Sequence, residues 1–167
     1  MIASNSPRRQ DDVSSNEHLY MTGDTPERFG DRFWSRHSNP TSGWTRVPSG
    51  AFIVYAIYRR NWGLLGVALV WTAINPVLFS PPEDEDAWMT RAVLAERWWI
   101  EEKRNRTVGL GYPNVCNTVG AVGFVYSVYA AWRQSPNGVT LGIVASVGLK
   151  LWWLRVLVDE YDRRAGY

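Results

Sequence analysis

The sequence is poor in the residues from which most catalytic and metal sites are built. It has one cysteine, Cys116, and two histidines, His18 and His37. A single cysteine excludes an intramolecular disulfide and any zinc site built on several thiolates. No acid or histidine cluster accompanies His37 at metal-ligand spacing, and no nucleophile elbow or glycine-rich phosphate loop is present. We therefore expect no metal, no cofactor and no recognisable catalytic motif.

The chain also lacks a strong excess of charge of either sign. Lysine and arginine total 18 and acidic residues total 16, so the net charge is +2, and the two signs are interspersed. A nucleic-acid surface needs clustered basic residues, so we expect no nucleic-acid partner. No apolar run of seven or more residues lies near the start, and we expect no signal peptide.

Tryptophan and long uncharged runs are what the chain does have. Ten tryptophans are present, and tryptophan favours the boundary between an apolar layer and water. A spanning helix needs about 20 apolar residues, which the second and third apolar segments supply, while the first and fourth would need tilt or local thinning. The four segments are 47–58, 62–82, 107–132 and 134–158, the last interrupted by Lys150 and Arg155.

Two further segments have the pattern of amphipathic helices at a membrane surface. In the first, Thr25 and Pro26 favour a helix start, aromatic residues and His37 share a face, and Asn39-Pro40 favours an end. In the second, Ser80 and Glu83 fit a capping box. Its apolar face consists of Trp88, Ala92, Ala95 and Trp99.

The predicted fold class is all-α: an integral membrane helical bundle of two helical hairpins, with about four spans, plus two interfacial amphipathic helices. A polar tail, expected to be disordered, occupies residues 1–24, and a single helical membrane domain occupies 25–162. The interfacial helices are predicted at 26–38 and 81–104, and the apolar helices at 47–60, 62–80, 108–132 and 138–160.

Small residues recur every four positions on the last two apolar segments. They are Gly123, Ser127 and Ala131 on one, and Gly138, Gly142 and Ser146 on the other. This spacing predicts close packing of the two helices, although small residues are also simply frequent in membrane helices.

Six basic residues lie before residue 47, five in 83–106 and two after Val158, with only Arg59, Arg60 and Arg133 in the hairpin turns. The positive-inside rule places both termini in the cytoplasm and both turns outside the cytoplasmic membrane. The pair Arg59-Arg60 favours the opposite side. If segment 47–58 does not span, the tail moves outside.

Lys150 is the sharpest candidate for function. It lies nine residues before Asp159, about 13 Å from that end of the helix, and ionisable groups at such depth are often functional. The alternative is that its stem reaches toward the head groups or that it pairs within the bundle. Arg155 can pair with Asp159 four residues on, or contact lipid phosphate.

Three polar residues complete the candidate binding set. Asn75 precedes Pro76 inside an apolar segment, which predicts a kink, or else an ion site. His37 is either a helix-end residue or a base or ligand, and Asn39 accompanies it. The candidate binding residues are thus His37, Asn39, Asn75, Lys150, Arg155 and Asp159, with none assigned as catalytic.

Three stretches resemble a family of small prokaryotic membrane proteins, domain of unknown function 6653. They are WSRHSNPTSGWTR at 34–46, NPVLFSPPEDEDAWMTRAVLAERWW at 75–99 and LKLWWLRVLV at 149–158. The resemblance implies a four-helix membrane protein and brings no activity or cofactor.

Two functions remain open from the sequence. The first is a non-enzymatic multi-pass membrane protein with a structural or interaction role, with the lipid bilayer and a second copy or a membrane partner as its partners. The second is a membrane enzyme or small transporter that acts on a lipid or ion through Lys150, Arg155 and His37. A soluble helical bundle is disfavoured by the long uncharged runs.

Overall fold

The computed structural model describes residues 29–166, and these residues form seven helices and no strand. The predicted all-α class is confirmed for this part of the chain. The predicted tail at 1–24, with His18, and the predicted helix start at 26–28 lie outside the described residues. The helices are α1 (Phe29–His37), α2 (Pro40–Arg46), α3 (Ser49–Tyr58), α4 (Trp62–Leu78), α5 (Trp88–Glu101), α6 (Asn114–Trp132) and α7 (Pro136–Ala165).

Asn39-Pro40 ends α1 and begins a helix that the sequence pattern did not predict. The Asn39 side-chain oxygen accepts hydrogen bonds from the backbone N–H groups of Thr41 (2.9 Å) and Ser42 (3.3 Å), which satisfies donors that a helix start leaves free. Between α2 and α3, Val47 and Pro48 keep right-handed helical dihedral angles. Residues 40–58 are therefore an almost continuous helical segment.

The helix predicted to begin at residue 81 begins at Trp88, and the expected capping box of Ser80 and Glu83 is not formed. The side chain of Asp84 instead accepts a hydrogen bond from the backbone N–H of Asp86 at 3.1 Å. Such local bonds from aspartate compete with the helix, so the acidic run forms an exposed connection.

The chain contains two helical hairpins, α3–α4 and α6–α7, whose turns lie against each other. The Arg60 guanidinium donates to the backbone oxygen of Trp132 at 2.9 Å and lies 4.1 Å from the centre of its ring. The Gln134 amide donates to the backbone oxygen of Tyr58 at 2.5 Å. Both turns are therefore at the same end of the molecule.

The predicted small-residue contact between α6 and α7 is confirmed. A Cβ atom placed on Gly142 would lie 2.6 Å from the Cβ of Ser127 and 2.7 Å from the backbone oxygen of Gly123. No side chain fits in that space, so only glycine at 142 allows the two backbones this approach.

A cluster of buried apolar residues lies between α5 and the C-terminal half of α7. The predicted apolar face of α5 is covered by α7, because α7 is 30 residues long and continues beyond its uncharged part. The position of α5 at a membrane surface stays a prediction. The buried residues are Met89, Ala92, Ala95, Trp98 and Trp99 of α5 with Trp153, Leu154, Leu157 and Val158 of α7.

Two of the helices, α6 and α7, are long and apolar enough to cross a membrane, and only 22% and 28% of their most apolar windows are buried inside the protein. The apolar α4 has 17 residues, and α3 has only 10. These lengths support two of the four predicted spans.

Candidate functional site

A pocket of about 390 Å³ lies between α2, α3, α5, α6 and α7, and the last residue of α1, His37, also lines it. This volume is in the range of small-molecule sites, which are mostly apolar with a few polar groups. Apolar side chains such as Ala51, Phe124 and Val147 form most of its wall. Its polar side chains include four that can carry charge: His37, Arg46, Glu96 and Lys150.

One face of α7 lines the pocket along its length, with a charged residue toward one end and apolar residues toward the other. The residues that α7 contributes are Ile143, Ser146, Val147, Lys150, Leu151 and Leu154. Steps of three and four residues place them on a single helix face. Ile143 and Lys150 are seven residues apart, about 10 Å along the axis, so the wall becomes apolar on the side toward the hairpin turns.

Lys150 is paired across the pocket with Glu96 of α5. The Lys150 Nζ atom lies 3.1 Å from Glu96 Oε1 and 4.2 Å from the centre of the Trp153 ring. The two side chains are 41% and 21% exposed, respectively. Of the alternatives for Lys150, the structure therefore shows pairing within the bundle.

Arg46 and His37 form the second polar pair of the pocket. The Arg46 Nη1 atom lies 2.6 Å from His37 Nε2 and also contacts Nδ1, while Nη2 donates to the His37 backbone oxygen at 3.2 Å. The imidazole acts as an acceptor for the guanidinium, which requires its neutral form. This contact joins the end of α1 to the end of α2.

Burial, together with the charges around it, keeps the His37 ring neutral at pH 7. Burial, followed by the nearby charges of Arg46 and Lys150, lowers the pKa of His37 to about 4. At pH 7 the polar end of the pocket thus holds two cations, one carboxylate and a neutral imidazole, and it is net positive.

Aromatic side chains hold the His37 ring in place. Phe33 stacks on it at 5.0 Å between ring centres, and Trp34 meets it edge-on at 5.7 Å. With both ring nitrogens facing Arg46, the ring is oriented as a polar wall of the pocket. Among residues 29–166, no group of three or more histidine, cysteine or acidic side chains could hold a metal ion.

Asn75 and Asn39 lie outside the pocket and connect helices. Asn75 is fully buried; its side-chain oxygen accepts from the Ser42 hydroxyl at 2.9 Å, and its amide donates to the Thr45 hydroxyl at 2.8 Å. Asn39 donates to the backbone oxygen of Ser80 at 2.9 Å. These bonds fasten α2 to α4 and to the segment that follows it.

Arg155 and Asp159 line a separate, shallower groove on the other side of α7. Both are exposed, and the groove also contains Trp44 and Trp152. The Arg155–Asp159 ion pair that we considered is not formed: neither side chain has an ion pair within the described part of the chain. Arg155 therefore does not meet Lys150 and His37 in one site.

Sequence reasoning missed Arg46 and Glu96. A signal for Glu96 was present, because Met89, Val93 and Glu96 recur at helical spacing beside the predicted apolar face of α5. Nothing comparable marked Arg46. Its contact with His37 depends on α2, the helix that the sequence pattern did not predict.

Comparison with known proteins identifies the family of this chain. The model of DUF6653, a family of unknown function, matches residues 27–166. The chain belongs to this family. The match confirms the resemblance carried by the stretches at 34–46, 75–99 and 149–158. The family description names no activity, so membership gives no function for this chain. No curated protein and no solved structure matches the chain.

Proposed function

We propose that the protein is a multi-pass protein of the cytoplasmic membrane, with four spans and a non-enzymatic binding role. The observation that carries the proposal is the exposure of large apolar side chains on all four hairpin helices. Phe52 of α3, Val67 of α4, Val122 of α6 and Val144 of α7 are 55%, 67%, 63% and 65% exposed, respectively. Contiguous apolar faces of this kind are covered by lipid or by a partner.

Helix lengths support the two spans that are shorter. The 17 residues of α4 extend about 25 Å, close to the apolar thickness of a bilayer, which adapts by a few ångströms. The ten residues of α3 are too few alone, but α2 and α3 together run from residue 40 to 58 as a nearly continuous helical segment. That segment is about 28 Å long.

The charge distribution supports an orientation with both termini in the cytoplasm. Both hairpin turns lie at one end, and the helices α1, α2 and α5 lie at the other, where most of the basic residues are. The basic pair Arg59-Arg60 was the weak point of this orientation. The Arg60 guanidinium is bonded to Trp132, so part of that charge is engaged by the protein itself.

The pocket supports a binding role better than catalysis. Its charged groups are bonded to one another, Lys150 to Glu96 and Arg46 to His37, rather than arranged as a nucleophile beside a free base. The rival function, a membrane enzyme or transporter, was expected to bring Lys150, Arg155 and His37 together. Arg155 lies in a different groove.

The first experiment is alkaline carbonate extraction of membranes from cells that express the tagged full chain. We expect the protein to stay in the pellet and to require detergent for release. Release by carbonate would contradict the proposal and would make the exposed apolar faces a contact with another protein.

Topology is tested by cysteine labelling, which is simple here because Cys116 is the only cysteine. In a Cys116→Ala background, a cysteine at Asn61 reports on the turns and a cysteine at Glu102 on the opposite end. We expect a membrane-impermeant maleimide to label the first in intact cells and the second only after lysis. Labelling of both in intact cells would contradict four spans.

A further inference from the structure

We infer that the pocket binds the acidic head group of an anionic amphiphile between Arg46 and Lys150, with the hydrocarbon chain along the apolar wall. The inference deepens the proposed function and rests on it, because the membrane is the source of such ligands. A carboxylate head and a phosphate head share the required chemistry, which is an oxyanion that accepts charge-assisted hydrogen bonds.

The donors for an oxyanion are present on two facing elements. Lys150 on α7 carries three N–H donors and Arg46 on α2 carries five. Within the described residues, His37 is the only hydrogen-bond acceptor of the Arg46 guanidinium, and it is a neutral partner. Glu96 balances only one of the two cations. The polar end of the pocket therefore has an excess of one positive charge, which a single anionic head group would neutralise.

The neutrality of the imidazole matters for this balance. The pKa of His37, lowered to about 4 by burial, Arg46 and Lys150, leaves the ring uncharged at pH 7. The ring can then accept from Arg46 and orient the guanidinium without adding a further charge that would have to be desolvated.

The rest of the pocket suits a hydrocarbon chain. From Lys150 the lining of α7 continues through Val147 to Ile143, about 10 Å along the helix, and Ala51 of α3 and Phe124 of α6 line the same space. Lys150 lies about 21 Å from the start of α7, toward the cytoplasmic side of an apolar layer about 30 Å thick. An amphiphile in this orientation keeps its head near the membrane surface and its chain within the apolar layer.

The test uses the full chain in phosphatidylcholine nanodiscs, with radiolabelled laurate as the probe and empty discs as the blank. We expect saturable binding, which unlabelled laurate and dodecyl phosphate compete for, and which dodecanol, dodecyltrimethylammonium and inorganic phosphate do not. Competition by dodecanol equal to that by laurate would overturn the requirement for an anionic head. Competition by inorganic phosphate alone would overturn the requirement for a chain.

The two head groups and their sources are distinguished in the same assay. Stronger competition by dodecyl phosphate than by laurate, together with reduced laurate binding in discs that contain phosphatidylglycerol, identifies a phospholipid head as the ligand. The reverse order identifies a free fatty acid. Absence of saturable binding by either anionic probe would overturn the inference.

Single substitutions separate binding from a merely structural ion pair. We expect Lys150→Gln and Arg46→Gln to weaken laurate binding about tenfold each, since each removes a charge-assisted hydrogen bond. Arg155→Gln is the matched control, because it removes a cation from the same helix but from the other groove, and we expect no change.

Glu96→Gln provides the sharpest result. It removes the competing carboxylate, so we expect laurate binding to tighten several-fold, whereas Lys150→Gln weakens it. If the pair were only structural, both substitutions would weaken binding. Weaker binding by a Glu96→Gln variant that keeps the thermal unfolding midpoint of the parent would overturn the inference.

Failure of this inference is distinguishable from failure of the proposed function. A protein that stays in the carbonate pellet but shows no saturable laurate binding keeps its membrane assignment and loses the ligand. A protein that carbonate releases loses the membrane assignment, and with it the premise of the inference.

Discussion

Along the α6–α7 hairpin, glycine and serine let the two backbones approach so closely that no side chain fits between them at Gly142. Beside the α3–α4 hairpin, at the end away from the turns, hydrogen bonds take the place of close packing: Asn75 of α4 holds Ser42 and Thr45 of α2. Elsewhere α4 is largely exposed, and of its residues only Ala68 and Asn75 are buried. One hairpin thus depends on the absence of side-chain volume and the other on a few polar atoms.

This difference has a consequence for the pocket. Its wall on α6 and α7 belongs to the hairpin that is closely packed along its length, and its wall on α3 belongs to the hairpin whose second helix, α4, is largely exposed. Size changes should therefore be tolerated worse in α6–α7, and loss of polar atoms should be tolerated worse in α2–α4.

The largest effect is expected for Gly142→Val. The added atoms would lie against the backbone of α6, so we expect the free energy of unfolding to fall by about 3 kcal/mol. Thermal unfolding in a mild nonionic detergent measures the change. Gly148→Ala is the matched control on the same helix, because a Cβ at Gly148 meets nothing within 4 Å; we expect no loss there. Equal losses at both positions would contradict close packing at 142.

The next effect is expected for Asn75→Ala, which leaves the buried Ser42 hydroxyl and the Thr45 hydroxyl without this partner. We expect a loss of about 2 kcal/mol in the free energy of unfolding, measured in the same detergent. Asn137→Ala, at an exposed position in α7, should change it far less. A variant at 75 as stable as the parent would show that the hydrogen bonds do not hold α4.

A smaller effect is expected from acid. Because the pKa of His37 is lowered to about 4 from an ordinary value of 6.5, the unfolded chain binds the proton more readily between these values. The stabilisation is complete above pH 6.5 and is lost as the pH falls toward 4. Since the ring is only partly buried, solvent screening limits the loss to about 1 kcal/mol.

The measurement is the unfolding midpoint at pH 7.5 and 5.0 for the parent and for His37→Gln. The parent should lose stability at the lower pH, and the variant should lose less. An identical loss in the two proteins would assign the acid sensitivity to other groups.

The smallest effect is expected for Lys103→Ala, which removes an ion pair with Glu160 that joins the end of α5 to α7. Both side chains are about one-third exposed, so we expect a loss of about 0.5 kcal/mol that disappears at high salt. A loss above that for Asn75→Ala would show that this ion pair stabilises the protein more than the buried hydrogen bonds of Asn75 do.

Sequence patterns predicted the parts of the fold that depend on long, repeated signals. The all-α class and the small-residue contact of α6 with α7 follow from uncharged runs and from a four-residue repeat. The residues at which helices start were harder to predict, because each start depends on one or two individual hydrogen bonds. Asp84 accepts a hydrogen bond within a turn, and α5 starts at Trp88 rather than at the predicted residue 81. Asn39 caps the start of α2, a helix that was not predicted.

The site was only partly predictable for the same reason. Lys150 stood out because it is a charge within an apolar run. Its partner Glu96 and the pair of His37 with Arg46 are contacts between helices distant in sequence, and local periodicity does not determine which helix faces meet. Asn75 was marked as unusual, but its role in joining α2 to α4 depends on α2, which was not predicted.

The bonds between the two turns, from Arg60 to Trp132 and from Gln134 to Tyr58, restrict how the molecule can change shape. The hairpins are tied at this end by the turns and at the other by α1, α2 and α5. Two rods joined at both ends cannot open like a hinge. Any enlargement of the space between them therefore requires the helices to bow apart at mid-length.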